Sequence, residues 1–293
     1  MKIEISLQKL LQNKRKLYSS VIIVIVVAFF LTVFFIFFLT PRPQKITVLN
    51  INNPDSVIKL NDKTIPPILY SKIPDLQELD ADERKKIFID VILPTTLLAQ
   101  RIIENKRAEL IKIKEKEFLS HQDSLLLDSM LLKFNAKDID DLVLRLHPHP
   151  VSITIAQAAT ESAWGTSRFC REANNLFGIW SFSKNDKRIA AGKTRDKQTV
   201  YLRKYDSLPE SILDYLYTIA RSAAFKDFRE ARSVSDNPYR LIWFLQNYSE
   251  KRLEYVITLR NMLEHNDLHQ YDNFVLPKID KRDEVWQKLL ETY

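Results

Sequence analysis

Glu161 is the carboxylate whose surroundings point most directly to chemistry. It stands in the stretch Ile153 to Phe182, ITIAQAATESAWGTSRFCREANNLFGIWSF, flanked by Thr160 and Ser162. Ile155, Ala158, Ala159 and Ser162 recur at helical spacing with mostly small side chains, which predicts a closely packed helix over 152–162. Glu161 then sits at the C-terminal end of that helix, where the helix dipole disfavours a carboxylate. An apolar cleft beside Trp164 adds a desolvation cost that raises a carboxyl pKa. Both effects favour an acid that keeps its proton near neutral pH, which glycoside hydrolysis requires. Gly165 is expected to end the helix in a left-handed cap, and Thr166 or Ser167 to cap the next helix.

Other residues in the stretch offer binding chemistry. Trp164 and Trp180 have flat apolar faces of the kind that stack on sugars, or that fill a core. Asn175, beside Asn174, either contacts a saccharide or builds a turn, and Phe177 reads as a core residue. Metal and cofactor chemistry is not expected. His147-Pro148-His149 alternates sides of an extended chain. The pair His265 and His269 lacks the metalloprotease Glu, and Cys170 is the single cysteine, so neither a disulfide nor a Cys-based zinc site can form within the chain. No phosphate loop and no Gly-x-Ser-x-Gly elbow occur. In Ser207-Leu208-Pro209-Glu210, Glu210 reads as half of a capping box rather than as a second acid.

The block Ala-Gln-Ala-Ala-Thr-Glu-Ser-Ala-Trp-Gly-Thr-Ser-Arg-Phe (156–169), followed by Asn-Asn-Leu-Phe-Gly-Ile-Trp (174–180), resembles the bacterial glucosaminidase domain of glycoside hydrolase family 73. Within it, the chain is most similar to the membrane-anchored Bax-type proteins of Gram-negative bacteria. Leu202 to Ser207 resembles the family's Phe-Arg-x-Tyr-x-Ser strand end. Tyr248-Ser249-Glu250, followed by Tyr255, resembles its late Tyr motif, and the likeness covers roughly 82–267. The resemblance implies a lysozyme-like, mostly helical (α+β) fold with a small β-hairpin at the cleft. It implies metal-free hydrolysis of the β-1,4 bond after N-acetylglucosamine in peptidoglycan. It assigns Glu161 as the general acid and Tyr248 as the cleft tyrosine that supports the charged transition state or orients water. The family often carries a second acid in the hairpin. Here no Glu lies between Glu172 and Glu210, so the candidates are Asp186 and, nearer the expected place, Asp196. Without such an acid the substrate's own acetamido group is the remaining nucleophile. Two rivals stay open: a lytic transglycosylase, which should carry a Gly-Leu-Met-Gln block where this chain has Asn-Asn-Leu-Phe-Gly, and a non-catalytic wall-binding membrane scaffold.

The elements that must position these residues follow from composition and periodicity. The chain has 293 residues, 45% of them hydrophobic and 28% charged, which excludes whole-chain disorder. It has three glycines, all between 165 and 192, too few for a β-barrel, a Rossmann fold or a propeller, and suited to a helical protein with one turn-rich site. Val21 to Leu39 is an apolar run broken only by Thr32, which predicts an uncleaved transmembrane anchor. Five Lys and Arg precede the run, and only Arg42 and Lys45 closely follow it. The N-terminus is therefore expected in the cytoplasm, the inner membrane as the anchor's location, and the rest in the periplasm. Four of the seven net positive charges lie in residues 1–40, so the basic balance reads as topology rather than nucleic-acid binding.

The expected organisation is a tail over 1–20, an anchor over 21–39, a Pro-rich spacer or small wrapped segment over 40–80, and a helical lead-in over 81–137. The glucosaminidase domain follows over 138–272 and a short amphipathic tail over 273–293. In the lead-in, helical spacing from Asp80 is expected to be interrupted at Pro94. One long amphipathic helix then runs from Thr95, breaks at 121–123, and packs on the domain that follows. The domain's helices are expected at 138–146, 152–162, 166–173, 207–223, 225–231, 237–247 and 251–265, with a β-prone stretch from Thr199 to Tyr205.

Overall fold

A computed structural model describes residues 18, 20–32, 34–35, 42–195 and 198–292. Two compact units divide the chain at Pro43. In the first, residues 20–32 are helical and their apolar side chains are exposed, for example Ile23 at 62% and Phe30 at 64%. Among the described residues no helix is long and apolar enough to cross a membrane. The predicted anchor extends over positions 33 and 36–39, which lie outside the described residues.

The second unit is mostly helical with two small sheets. Strands β1 (Thr47–Leu49) and β2 (Ile68–Tyr70) pair in parallel. Helix α1 (Ala81–Lys114) is followed by α2 (His121–Phe134), α3 (Ile139–Arg145), α4 (Val151–Ser162) and α5 (Arg168–Ala173). The antiparallel hairpin β3 (Arg188–Arg195) and β4 (Gln198–Arg203) comes next. Then come α6 (Leu208–Arg221), α7 (Lys226–Arg232), α8 (Pro238–Leu241), which continues as a 3-10 turn over Ile242–Tyr248, α9 (Leu253–His265) and α10 (Glu284–Thr292).

The Pro-rich stretch packs against the helices. Ile65, Ile68, Tyr70, Ile73 and Leu76 are buried there, and the C-terminal stretch bridges back to it at Gln44–Ile279 and Thr64–Val275. Trp286 on α10 is buried in the same core.

Helix α4 is the central element. Residues Val151 to Ala159 are all buried, packed by α1, α9 and the 3-10 turn Leu268–Asn273. Such a helix cannot show a polar face, and its first turn needs a buried cap. Pro150 offers none, so Asp272 supplies it from 120 residues away, accepting from the Ser152 N–H and hydroxyl at 2.8 Å each.

Four local expectations are corrected. Pro94 does not interrupt the lead-in: α1 runs through it as one 34-residue helix. Burial of Phe88 to Thr96 holds the helix together there, and the Thr95 hydroxyl bonds the Val91 carbonyl at 3.1 Å. A proline's local disruption is outweighed where tertiary packing fixes the flanking turns. The break falls at 115–120 instead, and residues 121–123 open α2, where Ser120 and Asp123 form a capping box. Gly165 does not make the first left-handed turn after α4. Ala163 (φ 50°) and Trp164 (φ 57°) already adopt it. Gly165 (φ 83°) permits close packing, since a Cβ there would stand 3.2 Å from both Ile73 and Phe88 side-chain atoms. Ser167 caps α5 as predicted. The Ser207 side chain makes no cap bond, whereas Glu210 accepts from the Asp206 N–H at 3.0 Å.

Candidate active site

Glu161 emerges where α4 ends. On either side of it, the Thr160 and Ser162 hydroxyls bond back to the carbonyls of Ala156 (2.7 Å) and Ala158 (2.6 Å). The Ser162 oxygen also accepts from the Gly165 N–H at 2.9 Å, which ties down the turn behind Glu161. The polypeptide then returns past the carboxyl at Gly178 (φ 66°), where a Cβ would lie 3.8 Å from Glu161 Oε2. Gly178 thus lets the backbone run beside the acid in a conformation an L side chain disfavours.

Three tyrosines enclose this corner. The Tyr248 hydroxyl donates to the Phe177 carbonyl at 3.1 Å. The Tyr248 ring stacks on Tyr255 with centroids 5.5 Å apart, and Phe177 stacks on Tyr215 at 4.1 Å. Tyr255 stands beside the Glu161 carboxyl, and its oxygen accepts from Gln157 Nε2 at 3.0 Å. Burial raises the Glu161 pKa, and the neighbouring Tyr255 hydroxyl opposes that rise. Burial likewise pushes the Tyr248 and Tyr255 hydroxyls well above their usual range, so both keep their protons. The corner holds a desolvated acid whose pKa burial raises, with tyrosine hydroxyls packed around it.

The other predicted residues fall in different places. Trp164 is half-buried and packs edge-on against Phe88 at 5.5 Å, with Lys85 Nζ 5.6 Å above its ring. Trp180 is 40% exposed, two residues beyond Gly178, and lies 6.1 Å from the ring of Phe182, itself 86% exposed. Residues 179–181 pair with the outer edge of β4 through Arg203 N to Ile179 O and Ser181 N to Tyr201 O, both 2.9 Å. Strand alternation puts Trp180 and Phe182 on one face. Asn175, expected at the saccharide, is only 1% exposed, and its amide is consumed by the backbone. Nδ2 donates to the carbonyls of Ile179 and Arg203, and Oδ1 accepts from the Ile179 N–H. Its place is the turn that delivers Gly178. Asp186 accepts from Ser181 at 3.0 Å and lies 3.7 Å from Arg203, a structural pairing. Asp196 lies outside the described residues. Cys170 is buried, with its thiol pushed up to about 12 by burial. Among the described residues no group of His, Cys, Asp and Glu is arranged to hold a metal.

Gln157 and Asp214 carry no prediction from sequence, whereas Arg203 and Tyr205 stand in the Leu202–Ser207 block of the resemblance. Tyr205 donates to Asp214 at 2.7 Å and Arg203 to the same oxygen at 2.8 Å. Gln157 did leave a signal: it is the amide four residues before Glu161, on the same helix face.

The family model for glucosaminidases, described as mannosyl-glycoprotein endo-beta-N-acetylglucosaminidase, matches residues 137–268. Residues 137–268 are a glucosaminidase-family domain. It spans α3 to α9, with Glu161, Gly178, Tyr248 and Tyr255 inside it. The chain is 27% identical to Protein bax of Escherichia coli (strain K12) over 172 residues, 56% of this chain and 61% of that protein. It is 28% identical to exo-glucosaminidase LytG of Bacillus subtilis (strain 168) over 138 residues, 41% of this chain and 45% of that one. The match therefore spans less than two thirds of either relative. The crystal structure of a peptidoglycan hydrolase from Sphingomonas sp. A1 aligns with 24% identity and a TM-score of 0.35, covering 43% of this chain and 81% of that one.

Proposed function

We propose that this glucosaminidase domain is a peptidoglycan hydrolase, an endo-β-N-acetylglucosaminidase that cleaves β-1,4 glycan bonds after N-acetylglucosamine, with Glu161 as its general acid. The observation that carries this is the corner itself: a half-buried carboxyl, its pKa raised by desolvation, beside Tyr255 and the Gly178 backbone. Glu161 gives its proton to the glycosidic oxygen as the C1–O bond breaks, and the bonding electrons leave with that oxygen. Tyr248 has committed its hydroxyl proton to Phe177, so its oxygen lone pairs serve the positive charge that builds at the anomeric carbon. Water adds to C1, directly or after the substrate's acetamido oxygen has closed on it. The water's proton passes to Asp196 in the direct route, or back to Glu161 in the substrate-assisted one. Trp180 with Phe182 provides an exposed aromatic platform for sugar rings, and the half-buried Trp164 contributes an edge at most. The lysozyme-like architecture expected from the sequence belongs to the same reading.

The apolar run at Val21–Leu39, with its basic flank, supports an inner-membrane anchor that leaves the catalytic domain in the periplasm. The domain organisation expected from the sequence goes with that topology.

The test is digestion of purified peptidoglycan with mass spectrometry of the new glycan ends. N-acetylglucosamine reducing ends are expected. Anhydro-muramyl ends mean a transglycosylase, and wall retention without new ends means a binding scaffold.

A further inference from the structure

Arg232 is a buried cation, 4% exposed, and no ion pair to a carboxylate is found for it among the described residues. Nη1 donates to His149 Nδ1 at 3.1 Å and Nη2 to the Arg145 carbonyl at 2.6 Å, while Nε has no hydrogen-bond partner. A guanidinium carries five N–H groups. Two are spent on these bonds, and the others find no acceptor among the described residues. Burial pushes the Arg232 pKa down to about 9, so the side chain is still charged at neutral pH. An unpaired buried charge is costly, and it calls for a reason.

Arg232 lines a cavity of about 690 Å³, a volume typical of small-molecule sites. The cavity lies at the N-terminal end of α4, between α1, the 147–150 turn, the start of α8 and residues 269–276. Glu161 leaves the opposite end of α4, about 15 Å along the helix, so this is a different place from the acid's corner. Pro148, Pro150, Pro238 and Phe274 give the cavity apolar walls. Asn237 and Asn273, also in its lining, keep amide N–H donors to spare. Asn237 uses only its oxygen, on the Arg240 N–H, and Asn273 makes no side-chain hydrogen bond among the described residues. The other lining charges are spent or solvated. Glu104 pairs with Arg101 at 3.2 Å and His269 with Asp267 at 3.1 Å, both Asp272 oxygens accept from Ser152, and Asp236 is exposed. Arg232 is thus the buried charge of the lining that lacks a counter-ion.

We propose that this cavity is a second binding site, for the terminal carboxylate of a short peptide, with Arg232 as its counter-ion. The planar oxygens of a carboxylate match the guanidinium fork. The bonds to His149 and Arg145 hold that fork in place before a ligand arrives, so little ordering is lost on binding. The Asn237 and Asn273 amides supply donors for peptide carbonyls, and the prolines and Phe274 pack a small side chain. Charge disfavours a phosphate dianion, because Glu104, Asp236 and Asp272 in the lining repel two charges more than one. The site goes beyond the hydrolase reading and does not depend on Glu161.

The test uses the full chain in a non-ionic detergent, with the dipeptide alanyl-alanine as probe and its C-terminal amide as control. The 15N signal of Arg232 Nε, assigned with Arg232→Lys, is expected to shift saturably with the acid and not with the amide. Arg232→Gln is expected to weaken binding of the acid at least about tenfold by calorimetry, the effect of losing one charge-assisted pair. Because Arg232 also braces the core, a second variant separates binding from folding. Asn273→Trp, at an exposed position of the lining, fills the cavity and is expected to abolish binding with the melting temperature unchanged. No saturable shift up to about 100 mM probe, equal shifts for acid and amide, or binding that survives both substitutions overturns the proposal. Inorganic phosphate that displaces the dipeptide at matched concentration overturns the assignment to a carboxylate. Peptidoglycan cleavage is no part of these readouts, so failure of the hydrolase reading would show separately, in the end-group assay.

Discussion

Replacing Glu161 by Gln keeps the side chain's shape while removing both the proton and the charge. The two losses have opposite consequences. Removing the proton donor is expected to lower the cleavage rate by about 10²–10⁴. Removing the charge is expected to stabilise the fold, because burial raises the Glu161 pKa in the native state. The sign follows from proton counts. Between the pH at which an unfolded glutamate ionises, about 4.3, and the higher pH at which native Glu161 does, the native state holds more protons than the unfolded chain. Native stability therefore falls as pH rises through that window, by about 1.4 kcal/mol per pH unit, and levels off above it. The variant has no such loss. For a unit of this size 1 kcal/mol is about 2–4 °C in Tm. The Tm of Glu161→Gln is thus expected to match the unmodified protein near pH 4 and to exceed it by about 3–5 °C per pH unit inside the window. Thermal melts from pH 4 to 8, paired with the release of glycan ends, measure both. A Tm difference that does not grow with pH would refute the buried-acid argument. Cleavage retained within about tenfold would refute the role of Glu161 as proton donor.

Asp90 is 5% exposed and pushed up to about 6 by burial, against the Leu60 N–H that donates to it. Its native state holds the extra proton between about pH 4 and 6, so stability should fall across that range. Asp90→Asn should remove the slope and gain up to about 3 kcal/mol at pH 7, read by urea unfolding. Gly165→Ala puts a methyl 3.2 Å from Ile73 and Phe88 at φ 83°, and should cost about 2–4 kcal/mol in the same assay. A cost near zero would mean the α4–α5 turn can move. Cys170 should resist iodoacetamide in the native protein and react once urea unfolds it, as expected of a buried thiol pushed up to about 12. Stoichiometric native labelling would contradict that burial.

The site's near parts were legible because local spacing carries them. Glu161 at a helix end, Gly178 in its turn and the Ser167 cap all follow from contacts within a few residues, and the helices came out within a few residues of their expected ends. Asn175 shows the limit. Its side-chain type suited a saccharide contact, and only the arrival of Ile179 and the Arg203 carbonyl showed where its amide is used. Pro94 was misread for a related reason: a proline's intrinsic effect on a helix is local, but the burial that overrides it comes from the rest of the core. The three-residue strands β1 and β2 were too short to give any periodic signal.

By itself, then, the sequence determined a helical chain, its one turn-rich segment and the acid at the centre of that segment. Tertiary structure alone decided what stands behind the acid and at the far end of its helix. Gln157 meets Tyr255 across 98 residues of sequence and Tyr215 across 58, and Arg232 reaches His149 across 83. No periodicity encodes such pairings, because each side chain is placed by packing of separate helices, and only burial makes a donor's direction matter.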